Sequence, residues 1–174
     1  MDQFAEQLVK KNNTSQDDLK KGLLIAGAVL LTLFSLYLTF FVAPIAVVLP
    51  VGIVYLAIYL LKIQNVEYEY SCTNGTFDID KILGQTKRVN MLSIDVSAFT
   101  MYGKADACTA SQDDMTTFSA VGVSMMGDEE DAEEYYAEFD HPEHGKCCLY
   151  FTPDGRMRGA IEPFLPRTLR KKIS

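Results

Sequence analysis

The chain has 174 residues, 48% of them hydrophobic, with 16 Lys+Arg against 23 Asp+Glu for a net charge of −7. The charge is unevenly placed: residues 65–174 hold 11 cations against 19 anions, net −8, and residues 1–64 hold 5 against 4, net +1. Phosphate contacts need clustered cations, so an acidic domain of this kind excludes nucleic acid as a partner.

Residues 1–21 read as a polar N-terminal segment. Phe4, Leu8 and Val9 fall near one face of a short helix there, and Ser15 with Asp18 three positions on predicts a capping box that opens the next element.

From Gly22 to Leu61 runs a stretch of 40 residues without a charge. A bilayer core about 30 Å thick takes about 20 apolar residues per helical span, so this stretch has the length of two spans. One unbroken helix would be roughly 60 Å long. Pro44 and Pro50 each lack an amide donor and place the break between Val42 and Gly52. The prediction is a two-helix transmembrane hairpin within 22–63, with helices at about 19–42 and 45–63. Its turn falls near Val42-Ala43-Pro44, and Pro50 sits in the first turns of the second helix, where it costs least. The one small-residue site, Ala26-Gly27-Ala28, comes too early for a cleaved signal, so the run reads as an anchor. Gly22 and Ala26 stand four apart, as do Ala28 and Thr32, a spacing that suits close helix packing but is also ordinary lipid-facing sequence.

Lys10, Lys11, Lys20 and Lys21 precede the first span, Lys62 follows the second, and the turn carries no cation. By the positive-inside rule both termini face the cytoplasm of a multi-pass membrane protein. Lys20, Lys21, Tyr59 and Lys62 are then the membrane-interface residues. The four cysteines, Cys72, Cys108, Cys147 and Cys148, are expected as reduced thiols on that side.

Residues 64–174 read as a cytoplasmic, β-rich domain. Val66 to Cys72 and Phe77 to Asp80 alternate apolar and polar, and Asn74-Gly75 between them is a strong hairpin signal, since a type I′ turn wants positive φ at both central positions. The pairing Cys72–Phe77, Tyr70–Ile79, Tyr68–Lys81 and Val66–Leu83 follows. It leaves Glu67, Glu69, Asp78 and Asp80 crowded on the other face, where like charges destabilise a sheet. A third strand at 86–92 would bring Arg88 to that face. A divalent-cation site built from the four carboxylates is the functional alternative, although their spacing matches no dedicated calcium loop.

Further strands are predicted at 93–101, 134–140 and 146–152, the last two joined through Asp140 to Gly145. Thr152-Pro153 reads as a helix cap and first position, with Met157, Ile161, Phe164 and Leu165 as the apolar stripe and Pro163 ending or bending the helix. Pro166 starts a last basic turn, in which Arg167, Arg170, Lys171 and Lys172 are candidate lipid contacts. Residues 104–132 show no clear pattern, and Gly127 to Glu134 is an acidic loop.

His141 and His144 lie close to Cys147 and Cys148, but the two cysteines point to opposite faces of a strand, which argues against one tetrahedral site. Cys147 is expected to pack inward with Leu149 and Phe151. Ser124 lacks the second glycine of a nucleophile elbow, and phosphate-loop, dinucleotide and zinc-protease motifs are absent. No cofactor and no catalytic residue is assigned.

The segments VEYEY, TNGTFDIDKI, KRVNMLSID and IEPFLP resemble a family of small uncharacterised two-span membrane proteins of Gram-positive, clostridia-type bacteria. The order of strand, turn, strand, basic step and closing helix is similar to that of bacterial pleckstrin-homology-like domains that follow paired spans. The resemblance covers roughly 62–103 and 134–168, and the acidic insert before Tyr135 departs from the compact pattern. It implies an α+β membrane protein with a pleckstrin-homology-like antiparallel domain closed by a C-terminal helix, and no assigned activity. The function expected is a non-enzymatic interaction or regulatory module at the bilayer, with a protein partner or self-association. The alternatives are a small-ligand or lipid-headgroup sensor and, behind it, a cation-dependent enzyme using the acidic face.

Overall fold

The structure is a computed structural model and describes residues 3–41, 48–105, 115–125 and 133–173. The chain divides into two compact units: Asn13–Val66 with Leu83–Thr86, and Met1–Asn12 with Glu67–Ile82 and Lys87–Ser174.

The first of these is helical. α1 (Ser15–Phe41) has 27 residues and contains a window of mean hydropathy 2.3 that is 6% buried, long and apolar enough to cross a membrane. α2 (Val48–Ile63) has 16 residues, which rise about 24 Å and fall short of a full span. The described residues therefore contain one helix of spanning length, not the two of the expected hairpin, and the predicted turn at 42–44 lies outside them. Pro50 is the third residue of α2 and lies in its first turn, as expected. The cap of α1 falls one residue before the predicted box: the amides of Asp17 and Asp18 bond the Thr14 carbonyl, and the Thr14 amide donates to Asp17 Oδ2 at 3.3 Å. Thr14 and Asp17 are thus the reciprocal pair, in place of Ser15 and Asp18.

The second unit is a β domain with nine strands among the described residues. One sheet has the order β4-β3-β2-β1-β7, the other β5-β8-β9-β6. β2 (Val66–Thr73) and β3 (Thr76–Leu83) are the predicted hairpin, with Asn74 at φ 50° and Gly75 at φ 91°. β4 (Lys87–Asp95) is the third strand and runs longer than predicted. A 3-10 turn at Val96–Ala98 then leads into β5 (Phe99–Lys104), dividing what had read as one strand over 93–101. β6 (Thr116–Ala120) and β7 (Gly122–Ser124) are almost continuous yet belong to different sheets. β8 (Tyr135–His141) and β9 (Gly145–Phe151) form the second hairpin. β6 pairs with β9 in parallel, the exception in an otherwise antiparallel set of registers.

The largest departure is at the N-terminus. Residues Phe4–Lys11 form strand β1, not a short helix. β1 lies between β2 and β7, with Phe4 opposite Thr73, Gln7 opposite Tyr70 and Lys10 opposite Glu67. Its buried positions are Gln7 and Val9, two apart as a strand requires, while Phe4 is exposed. The two sheets enclose a core of Tyr70, Phe77, Ile79, Phe99, Phe139, Leu149 and Phe151, all under 3% exposed. α3 (Gly155–Ile161) packs against β1 and inserts Met157 and Ile161 into this core. Its N-cap is Asp154, whose carboxylate accepts from the Met157 amide at 2.7 Å, two residues beyond the predicted Thr152 cap. A 3-10 turn at Glu162–Phe164 ends it at Pro163, and α4 (Arg167–Ile173) follows, as predicted.

Candidate functional site

Three surfaces and one buried network gather the residues singled out in the sequence, together with several that were not.

The helical unit carries the membrane-interface candidates. Lys21 Nζ bonds Asn13 Oδ1 at 3.2 Å and Asn65 Oδ1 at 3.5 Å, tying the start of α1 to the exit of α2. The Gly84 amide donates to the Asn65 carbonyl at 2.9 Å, closing a polar collar there. Lys20, Lys62 and Tyr59 are exposed, Tyr59 one turn inward from Lys62 along α2. Ala28 and Thr32 line an apolar groove of about 300 Å³ between the two helices, with Val54, Ala57 and Leu61 opposite. The Thr32 hydroxyl is spent on the Ala28 carbonyl at 2.7 Å, so the groove presents little polarity.

The acidic sheet face is an ion-paired surface. Arg88 donates to Glu69 and stands 3.9 Å from Asp80, and Asn90 donates to Asp80 at 2.8 Å. Lys10 of β1 faces Glu67 across the ladder, a cation that the hairpin alone could not supply. Burial pushes the Glu69 carboxyl above its usual range, and Arg88 works against that shift. His141 and His144 stack with ring centroids 4.9 Å apart at the β8–β9 turn, and His144 meets Phe118 edge-on. Among the described residues no group of three or more His, Cys, Asp or Glu is disposed to hold a metal ion. Glu67, Glu69, Asp78 and Asp80 are therefore not assembled as a ligand set, nor are His141 and His144 with Cys147 and Cys148. Both cysteines are buried, and burial raises the Cys147 thiol, as it does that of Cys72. Arg167 and Arg170 are exposed on α4, with Arg170 Nε held by the Leu165 carbonyl at 2.7 Å; the side chains of Lys171 and Lys172 lie outside the described residues.

The buried network went unnoticed in the sequence. Gln7, 1% exposed, donates from Nε2 to the Thr152 carbonyl at 3.0 Å and accepts at Oε1 from the Asp154 amide at 2.9 Å. The Tyr70 hydroxyl donates to the Ala120 carbonyl and accepts from the Thr152 amide at 3.3 Å. The Thr152 hydroxyl accepts from the Gly122 amide at 3.3 Å. Burial raises the Tyr70 phenol well above its ordinary range. The network joins β1, β2, the β6–β7 corner and the start of α3 at one point, and nothing in the sequence signalled it, since a lone polar Gln7 reads as solvent-facing.

A model of one family, described as "Bacterial PH-like domain (DUF6106)", matches residues 1–171. The chain belongs to this bacterial PH-like family. The matched range spans β1, both helices and the β domain. No curated protein and no solved structure matches the chain. The PH-like assignment fits two sheets around one core, closed by a C-terminal helix, and points to an interaction or lipid-binding module.

Proposed function

We propose that this PH-like protein is a membrane-anchored, non-enzymatic interaction module, held by two crossings with both termini in the cytoplasm. The observation that carries the anchoring is the pairing of β1 with β2. These strands flank the helical unit in sequence and pair residue by residue from Phe4↔Thr73 to Lys10↔Glu67. Paired strands lie on one side of a bilayer, so the chain between them crosses an even number of times. If α1 crosses, the segment through α2 returns. Lys20, Lys21 and Lys62 at the near ends favour the cytoplasmic side.

The interaction reading is supported by β4, which ends its sheet and offers an edge to a partner strand. Its exposed residues Lys87, Arg88, Val89 and Asn90 mix charge with an apolar contact, Val89 being 42% exposed.

Photo-crosslinking in cells from position 89, with position 104 as control, tests the module. A recurrent adduct specific to position 89 supports it, and equal or no adducts at both positions oppose it. Impermeant labelling of single cysteines at Gln3 and Asn65 tests the anchor: both are shielded in intact cells, and labelling of one alone would refute the paired crossing. The headgroup-sensor alternative, through Arg167 and Arg170, predicts salt-sensitive binding to anionic vesicles, against the average repulsion of a domain carrying net −8.

A further inference from the structure

At one end of the β5-β8-β9-β6 sheet, Thr100, Glu138, Asp140 and Lys146 line a cleft of about 270 Å³, walled by Phe139 and Cys147. The register places its three charges on one face: Asp140 stands opposite Lys146, and Glu138 opposite Cys148 one pair further along that face. Glu138 is 6% exposed, and its Oε1 is buried with no hydrogen-bond partner among the described residues. The nearby Thr100 hydroxyl does not serve the carboxylate; it donates to the Glu138 main-chain carbonyl at 3.0 Å. Neither Asp140 nor Lys146 closes an ion pair among the described residues, although they face each other. A buried carboxylate oxygen without a donor is costly, and native structures rarely leave one so unless something occupies the site.

We propose that this cleft binds a small zwitterion, its ammonium donating to Glu138 and its anionic group pairing with Lys146. Pockets for drug-sized ligands start at about 300 Å³, so the cleft suits a molecule of amino-acid size. Asp140 at the rim adds to the preference for a cationic group, and Lys146 favours ligands that carry an anion as well. Free amino acids and the headgroup of an aminophospholipid share this chemistry. The site is separate from the β4 edge and does not depend on it.

Calorimetric titration of the full-length protein in detergent tests the assignment, with L-serine, glycerophosphoethanolamine, ethanolamine and N-acetylserine as probes. Saturable binding is expected for at least one zwitterion, with N-acetylserine at least about tenfold weaker than serine if serine is the ligand, since the charged donor is lost. Glu138→Gln should weaken the zwitterion by about tenfold or more and leave the near-UV spectrum intact. Lys146→Met, a change at an exposed residue, should abolish the preference for the zwitterion over ethanolamine. Binding of serine alone assigns a free metabolite, and of glycerophosphoethanolamine alone a lipid headgroup. The proposal is overturned if no zwitterion binds at millimolar concentration, or if E138Q binds undiminished. Should E138Q misfold, an unchanged preference in K146M overturns it equally.

Discussion

Replacing Gln7 by Leu tests whether the N-terminal strand is held by the network beneath it. The leucine side chain is similar in size and is apolar, in a site that is 1% exposed. What changes is that the Thr152 carbonyl and the Asp154 amide, now bonded at 3.0 and 2.9 Å, both lose their partner. Each buried, unsatisfied backbone group costs about 1–3 kcal/mol, and burying Leu in place of Gln returns about 1–2 kcal/mol, so the net loss is about 3 kcal/mol. That is a large share of the roughly 5–15 kcal/mol that holds a domain together. Because the chain has no tryptophan and nine tyrosines, urea unfolding of the full-length protein followed by near-UV tyrosine dichroism reports chiefly on the β domain. The midpoint should fall, and the thermal transition should drop by about 10 °C. Gln7→Glu keeps the acceptor for Asp154 but loses the donor to Thr152. It sets a carboxyl in a buried site, whose folded pKa is raised, so the variant should lose stability as pH rises. A loss below about 0.5 kcal/mol in the leucine variant would refute the reasoning, since it would mean the two backbone groups find other partners.

Gly122→Ala should separate β7 from β1, because a Cβ there would lie 2.2 Å from the Lys10 carbonyl oxygen, and main chain cannot yield as a flexible side chain can. Hydrogen exchange at residues 122–124 should accelerate, with roughly 2 kcal/mol of destabilisation or more. Glu69, whose carboxyl is raised mainly by burial, should lose stability relative to Glu69→Gln as pH rises from acid to neutral. For a raised carboxyl the protonated form favours the fold, and that contribution fades as pH climbs through the folded pKa. Urea midpoints for both proteins across this range check the sign. Cys72, Cys147 and Cys148 should resist N-ethylmaleimide at pH 7.5 in the native protein and react once it unfolds, read by peptide mass spectrometry; modification at the native rate of an exposed thiol would contradict their burial.

Local pattern made the hairpins legible. β2, its Asn-Gly turn and β3 specify one another within a few residues, and the acidic face they create called for a cation that Arg88 supplies. The hairpin of β8 and β9 and the break at Pro163 were readable for the same reason. β1 was not, because its inward face carries Gln7 where an apolar residue marks a strand, and its outward face carries Phe4 and Leu8. Its partners are also far away in sequence: β2 lies beyond the helices and β7 beyond residue 120. The cap at Asp154 was hidden by the more conventional Thr-Pro pair just before it, since Thr152 is drawn into the buried network. The spacing of the histidines and cysteines already argued against a metal cluster, because adjacent residues on a strand diverge, and among the described residues no such group is assembled.

The placement of β1 also sets the order of events during synthesis. Residues 4–11 leave the ribosome before the helices, yet their nearest partner is not complete until residue 73, after both helices have been made. Until then β1 is an unpaired strand with both hydrogen-bonding edges open, and its second neighbour, β7, emerges later still. Closing a sheet across so long a connection is slow compared with local hairpins. On the anchored reading proposed above, the helices would reach the bilayer before the sheet can close. On that reading, a chain whose helices stall would keep its N-terminal strand unpaired and open to proteases, and completion of the β domain would report insertion.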